Sequence, residues 1–229
     1  MARVASPDRR KQIGQAALRA FSDSGFRRTQ VSEIAKLAGT APGTIYLYTA
    51  SKEALFLAAL QISLGEEPDD AFAENEDLLE TISKKLTMSR RIPSLVLATS
   101  GPTDSLPSFC HVVTEIYDSI EAVAPAIRLV ERCAQDWPEL AALFYFDLRP
   151  KLIQMLSQYM QLGAVAGTLR EVPDCGLAAR LVIETIAWFA IHRHGDADGQ
   201  YFDALAAKTA VVDALVHAYS VNTSPERPK

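Results

Sequence analysis

The chain has 229 residues, 48% hydrophobic and 22% charged, with a formal net charge of −5, an ordinary balance for a globular protein of one or two domains. Residues 1–11 show no apolar stretch of a signal peptide, and the most apolar segment, 177–191, is interrupted by Arg180 and Glu184 and is too short for a membrane span. Cys110, Cys133 and Cys175 are odd in number and far apart, which argues against a disulfide framework and for a reducing cytoplasm.

Residues 1–60 carry nine Lys or Arg against four Asp or Glu, so a basic head precedes an acidic body, the asymmetry expected when one end meets nucleic acid. Ser6-Pro7 supplies an N-cap and a first-turn proline for the first helix. Ile13, Ala16, Ala17, Ala20 and Phe21 form one apolar stripe on it, and Gly25 is placed to end it. A second helix begins near Gln30, with Val31, Ile34, Ala35 and Ala38 on one face. Gly39 makes the turn to a short third helix over 42–48. Ser51 caps a fourth helix that buries Leu55, Ala58, Ala59 and Ile62.

Two short helices joined by a tight glycine turn make a helix-turn-helix, whose second helix enters the major groove. The recognition segment is 41–48. Gly43 lets a backbone approach phosphates, Thr44 offers a hydroxyl, and Tyr46 and Tyr48 combine a flat apolar ring with a phenol. Lys52, in the first turn of the next helix, places a cation where that helix's amides favour an anion, and Thr29 is placed to contact a phosphate at the second helix.

The run Gly25-Phe26, Thr29-Gln30-Val31-Ser32-Glu33-Ile34-Ala35, Ala38 to Tyr48 and Ser51-Lys52-Glu53-Ala54-Leu55 closely resembles the N-terminal domain of the TetR (tetracycline-repressor-like) family. The resemblance spans about a fifth of the chain. It implies an all-α homodimer with a three-helix DNA-binding domain and a larger C-terminal domain that dimerises and binds a small effector. It also implies DNA contact at Thr29, Thr44, Tyr46, Tyr48 and Lys52, with Pro42, Gly43 and Leu47 lying where the family approaches phosphates or bases. Three positions depart from the pattern. Gln30 stands where the family has Ser or Thr and caps poorly; Thr40 replaces a small aliphatic residue and could cap the recognition helix; Thr49 replaces an aromatic core anchor. Gln30 and Leu47 bear on which bases are read, but no arginine or asparagine on the recognition helix offers a bidentate base contact, so the operator sequence is not legible.

The remaining boundaries follow from composition. Residues 1–64 are the helix-turn-helix domain, 65–77 an acidic linker, 78–221 the effector and dimerisation domain, and 222–229 a disordered tail. Helices are expected over 75–88, 92–99, 106–124, 126–134, a long one over 137–165 disturbed by Pro150, then 174–192 and 200–220. In the last, Phe202, Leu205, Thr209, Val212, Val216 and Tyr219 recur at heptad-like spacing, while Val211 and Leu215 form a second apolar face. With Trp188 and Phe189 of the preceding helix, that seam is the expected dimer interface, and a two-fold dimer fits a palindromic double-stranded operator. Phe109, Cys110, His111, Tyr117, Trp137, Phe144, Tyr145 and Arg149 are the candidate effector-pocket residues, an aromatic set with a few polar groups.

No catalytic constellation, cofactor loop or metal-ligand spacing emerges: His192 and His194 are two apart, and better suit a helix C-terminus together with Arg193. The function expected is therefore a ligand-responsive regulator, most often a repressor, with no cofactor and no membrane partner. An architectural or effector-independent DNA-binding protein, and a helical enzyme, are the alternatives.

Overall fold

The computed structural model describes residues 7–68, 77–89, 92–100, 106–197 and 199–221, so the expectations for 222–229 and for most of the linker fall outside the described residues. Within them the protein is all-α, with a single isolated bridge between Leu169 and Ser220. No described helix is long and apolar enough to cross a membrane.

Twelve α-helices are described: α1 (Pro7–Ser24), α2 (Val31–Leu37), α3 (Pro42–Ile45), α4 (Lys52–Ser63), α5 (Leu78–Ser89), α6 (Pro93–Ser100), α7 (Phe109–Ala122), α8 (Ala124–Ala134), α9 (Pro138–Ala142), α10 (Arg149–Val165), α11 (Cys175–Ala190) and α12 (Ala204–Tyr219). They form two compact units that do not follow chain order. The first combines Met1–Ser89 with Val123–Leu148; the second combines Arg90–Ala122 with Arg149–Lys229.

In the first unit, α1 packs along α4 and α8. The stripe read from the sequence is its buried face, with Ile13, Ala16, Ala17, Ala20 and Phe21 all in the core. Helix α4 is covered on almost every side, burying Leu55, Phe56, Leu57, Ala59 and Leu60, more than one apolar stripe predicts. Each of the Leu and Phe side chains contributes roughly 1.5–3 kcal/mol when fully buried. Gly25 and Gly39 adopt φ of 84° and 62°, the left-handed region that ends α1 and turns the chain from α2 toward α3. The start of the acidic linker is held rather than free: Lys11 pairs with Glu67 and Lys85 with Glu66, each at 2.6 Å, and Pro68 is buried.

Cys133 of α8 lies under α1, its Sγ 3.9 Å from the Phe21 carbonyl. Burial pushes its thiol from the ordinary 9.0 up to about 12, so the folded state holds the proton that the unfolded chain releases first. Stability from this group is full below pH 9 and is lost as the pH climbs toward 12. At pH 8, Ellman's reagent is expected to label exposed Cys110 at once and Cys133 only after denaturation. Equal rates for the two would contradict this placement.

The long helix expected over 137–165 runs without a gap from Pro138 to Val165, but its middle is not α-helical. Pro150 has no N–H and its ring crowds the carbonyl four residues back, and the preceding residues, Leu143–Leu148, widen into a π-helix between α9 and α10.

In the second unit, α11 lies against α7, α10 and α12, while α6 meets α7 and α10. Ala178, Ala179, Ala187 and Ala190 let α11 approach its neighbours closely, with Val182, Ile183 and Ile186 filling the space between. Asp174 and Asp203 cap α11 and α12 by accepting from Leu177 N and Ala206 N, at 2.9 and 2.8 Å, so α12 starts four residues later than its apolar pattern suggests. Between them, buried Arg193 donates through Nε to the Phe189 carbonyl at 2.8 Å, the dipole-complementing role expected at this helix end.

Candidate functional site

The helix-turn-helix presents a small, unusually bare surface. Helix α3 is one turn long, with Pro42 at its first position, and only Ile45 faces the core. Residues 46–48 continue as hydrogen-bonded turns, with Leu47 N donating to Thr44 O and Tyr48 N to Ile45 O, so the recognition segment is a shorter helix than expected. Ala41, Pro42 and Gly43 are exposed, Thr44 and Tyr48 half-buried. Tyr46 and Leu47 are 58% and 71% exposed, large apolar groups held out in water on a rigid base. A Cβ at Gly43 would meet nothing within 4 Å, so the backbone there is open to close approach from outside.

Two expected roles are altered by the packing. Thr29 is buried, and its hydroxyl donates to the carbonyls of Gly25 at 2.7 Å and Ala20 at 3.1 Å; it ties the α1–α2 turn and offers no hydroxyl to a phosphate. Thr40 does not cap α3, whose N-cap is Ala41 with no side-chain bond. Gln30 occupies the N-cap of α2 without a side-chain bond, as its poor capping chemistry predicts. Thr49, in place of an aromatic anchor, donates to the Ser51 carbonyl at 2.9 Å, and Ser51 caps α4 by accepting from Ala54 N at 3.1 Å. Lys52 follows at once. Its Nζ donates to the Arg27 carbonyl at 3.2 Å and lies 4.9 Å from the centre of the Phe26 ring, and burial lowers its pKa.

The family described as bacterial regulatory proteins, tetR family, matches residues 13–59, the span of α1 to α4 just described. Residues 13–59 are thus a TetR-family N-terminal domain. It is 25% identical over 217 residues to the fatty acid metabolism regulator protein of Bacillus subtilis (strain 168), covering 90% of this chain and 92% of that protein. It is 43% identical over 67 residues to the HTH-type transcriptional regulator BetI of Rhizobium meliloti (strain 1021), covering 29% of this chain and 33% of the relative. In fold it is similar to the ketosteroid transcriptional regulator KstR2 of Mycobacterium tuberculosis, with a TM-score of 0.55 at 18% identity, covering 96% and 98% of the two chains. All three are named as regulators, two of them as transcriptional regulators.

The second unit holds a groove of about 800 Å³ between α6 and α7. Pro93, Val96, Leu97 and Pro107 give it apolar walls, with His111 and Glu115 as polar groups. Glu115 is held in place by Ser94, whose backbone N–H and hydroxyl both donate to Oε2. Of the eight residues expected to line a pocket, this groove includes His111. Neighbouring Cys110 is exposed on α7. Phe109 is buried, stacked on Tyr159 and edge-on to Tyr219, and Tyr117 is fully buried in the core of the unit. Arg149 is ion-paired with Glu184, which also binds Arg180. The other three lie in the first unit: Phe144 is buried with Tyr145 edge-on beside it, and Trp137 belongs to the aromatic core beneath the helix-turn-helix. Residue type alone does not tell a ring in a core from a ring at a pocket, because both are large, flat and apolar.

Helices α11 and α12 each leave an apolar stripe uncovered. On α11 these are Leu177, Leu181 and Trp188, with Phe189 half-buried. On α12 the heptad positions Leu205 and Thr209 are exposed, Val212, Val216 and Tyr219 are half-buried, and Phe202 just before the helix is exposed. The opposite face, Ala207, Val211 and Leu215, is the one buried within the unit.

Proposed function

We propose that this TetR-family chain is a repressor that binds a palindromic operator as a homodimer in the cytoplasm and is released by a small apolar effector. The observation that carries the DNA half is the exposure of Tyr46 and Leu47 in the turns that directly follow the one-turn helix α3, in a basic head. Pro42, Gly43, Thr44, Tyr46, Leu47 and Tyr48 meet the major groove, with Gln30 and Thr40 at its margin and Lys52 on the phosphate backbone. A two-fold dimer through the stripes of α11 and α12 sets two such surfaces about one DNA turn, roughly 34 Å, apart or a multiple of it.

The α6–α7 groove is the effector site. Its volume falls within the range of drug-sized pockets, and its apolar walls with one imidazole and one carboxylate suit a lipophilic compound. The near-full-length relative named for fatty acid metabolism points the same way. Effector and DNA favour different states of the dimer, so each weakens the other by the same factor. A change from almost fully bound to almost fully released takes differential affinity of about 10⁴-fold.

The test is selection of duplexes from a random pool by the full chain, followed by challenge of the complex with fatty acyl and other lipophilic compounds. An enriched palindrome that is released by one of them is expected. Enrichment of a single half-site would overturn the dimeric reading. A palindrome that no compound releases would favour an effector-independent regulator.

A further inference from the structure

Phe26 sits in the turn between α1 and α2, and groups far along the chain converge on it. The Trp137 ring, at the N-cap of α9, stacks on it with centroids 4.0 Å apart and planes at 25°. Phe56 of α4 stands edge-on to both rings, at 6.0 Å from Phe26 and 5.2 Å from Trp137. The backbone N–H of Phe26 donates to Asp136 Oδ1 at 3.0 Å, a hydrogen bond spanning 110 residues of sequence. Arg132, one turn earlier on α8, donates to the Asp23 carbonyl at 2.9 Å and to Gln135 Oε1 at 3.0 Å. The α8–α9 corner thus grips the end of α1 and the turn after it at three points. The Lys52 ammonium rests over the same Phe26 ring at 4.9 Å. A cation over an aromatic face is held by the ring's quadrupole, so the ammonium goes where the ring is fixed.

We infer that Trp137 and Asp136 are positioning residues for DNA binding: they fix the Phe26 ring, and the ring holds Lys52 at the start of α4. Neither residue needs to touch DNA. Trp137 limits how far the ring can recede, and Asp136 sets the backbone from which the ring springs. The inference rests on the proposed phosphate contact of Lys52. It adds that this contact is governed by a segment 85 residues further on, outside the helix-turn-helix. Without the stack, Phe26 relaxes toward the vacated volume, and the lysine then samples many rotamers instead of one.

The test uses the slope of log affinity against log salt concentration, which counts phosphates neutralised and is blind to a uniform loss of folded protein. The wild-type chain selects a duplex from a random pool, and each variant is titrated with that duplex between 50 and 200 mM salt. Lys52→Ala is expected to flatten the slope by about 0.9 for each phosphate it leaves without a cation, roughly a fourfold smaller change in affinity over this range per phosphate. Trp137→Ala is expected to flatten it by the same amount. The double variant flattens it no further, and Trp137→Phe restores it. Trp137→Leu keeps a buried apolar side chain without the ring face and gives the same reading if the alanine variant unfolds. A wild-type slope in both Trp137→Ala and Trp137→Leu, or a double variant flatter than Lys52→Ala alone, overturns the inference. An unchanged slope in Lys52→Ala overturns it too, while leaving DNA binding itself in place. A wild-type chain that enriches no duplex would overturn the DNA-binding proposal on which the inference rests.

Discussion

Replacing Tyr46 and Lys52 together by alanine is expected to remove specific DNA binding while leaving the fold and the dimer intact. Tyr46 is 58% exposed and Lys52 lies at the edge of the head, so neither truncation opens a cavity. A hydrogen bond from a charged group contributes about 1.5–3 kcal/mol, and a neutral one roughly 1 kcal/mol. A two-fold dimer forfeits both of these twice, so the sum is about 5 kcal/mol or more, a weakening of several thousandfold. Fluorescence anisotropy with the selected duplex reads the loss, and light scattering checks the dimer. Unchanged operator affinity would remove the exposed face of α3 from the DNA interface. Because Ile45 alone anchors α3 to the core, Ile45→Ala is the contrasting change: it would weaken DNA binding through loss of structure, visible as a lowered melting temperature.

Leu181→Glu combined with Leu205→Glu is expected to yield folded monomers. In the single chain these side chains are 55% and 72% exposed, so a carboxylate at either costs the unit almost nothing. In a two-fold interface each substitution occurs twice, and four carboxylates would lose water among the apolar side chains of the two stripes. An unpaired charge in such a setting costs several kcal/mol, enough together to exceed the association energy of a standard dimer. Light scattering should report half the wild-type mass with an unchanged helical circular-dichroism spectrum. A dimer that survives both changes would place the interface elsewhere. Leu215→Glu is the control from the opposite side of α12: buried at 7% exposure, it should unfold the second unit rather than dissociate it. A monomer without its paired surfaces would also bind a palindrome with the affinity of one half-site, linking this prediction to the first.

The comparison of α12 with α3 indicates where sequence reasoning succeeds. A heptad-like seam and a second apolar face were both visible on α12, because helical periodicity records that two faces are apolar. It does not record which neighbour covers each. The neighbours supplied by α7 and α11 decide that, covering Val211 and Leu215 and leaving Leu205 and Thr209 in water. On α3 the question hardly arises. A four-residue helix has room for one inward residue, and the motif around it is local.

The amino-acid sequence alone determined the elements whose causes lie within a few residues: the apolar stripe of α1, the glycine turns at Gly25 and Gly39, the Ser51 cap, and the bare recognition segment around Tyr46. Backbone conformation and capping are short-range, and so legible. Tertiary structure alone decided the destinations of side chains that suit several environments equally. Thr29 could offer its hydroxyl to a phosphate or to a carbonyl, and two nearby backbone carbonyls take it. Trp137 could line a cavity or fill a core, and in the first unit it packs against Phe26 and Phe56. The groove lined by His111 and Glu115 depends on how α6 and α7 are placed side by side, which no residue type announces. Encounters between groups a hundred residues apart depend on how helices are arranged in space, and a burial preference fixes only that a side chain leaves water, not what it meets there.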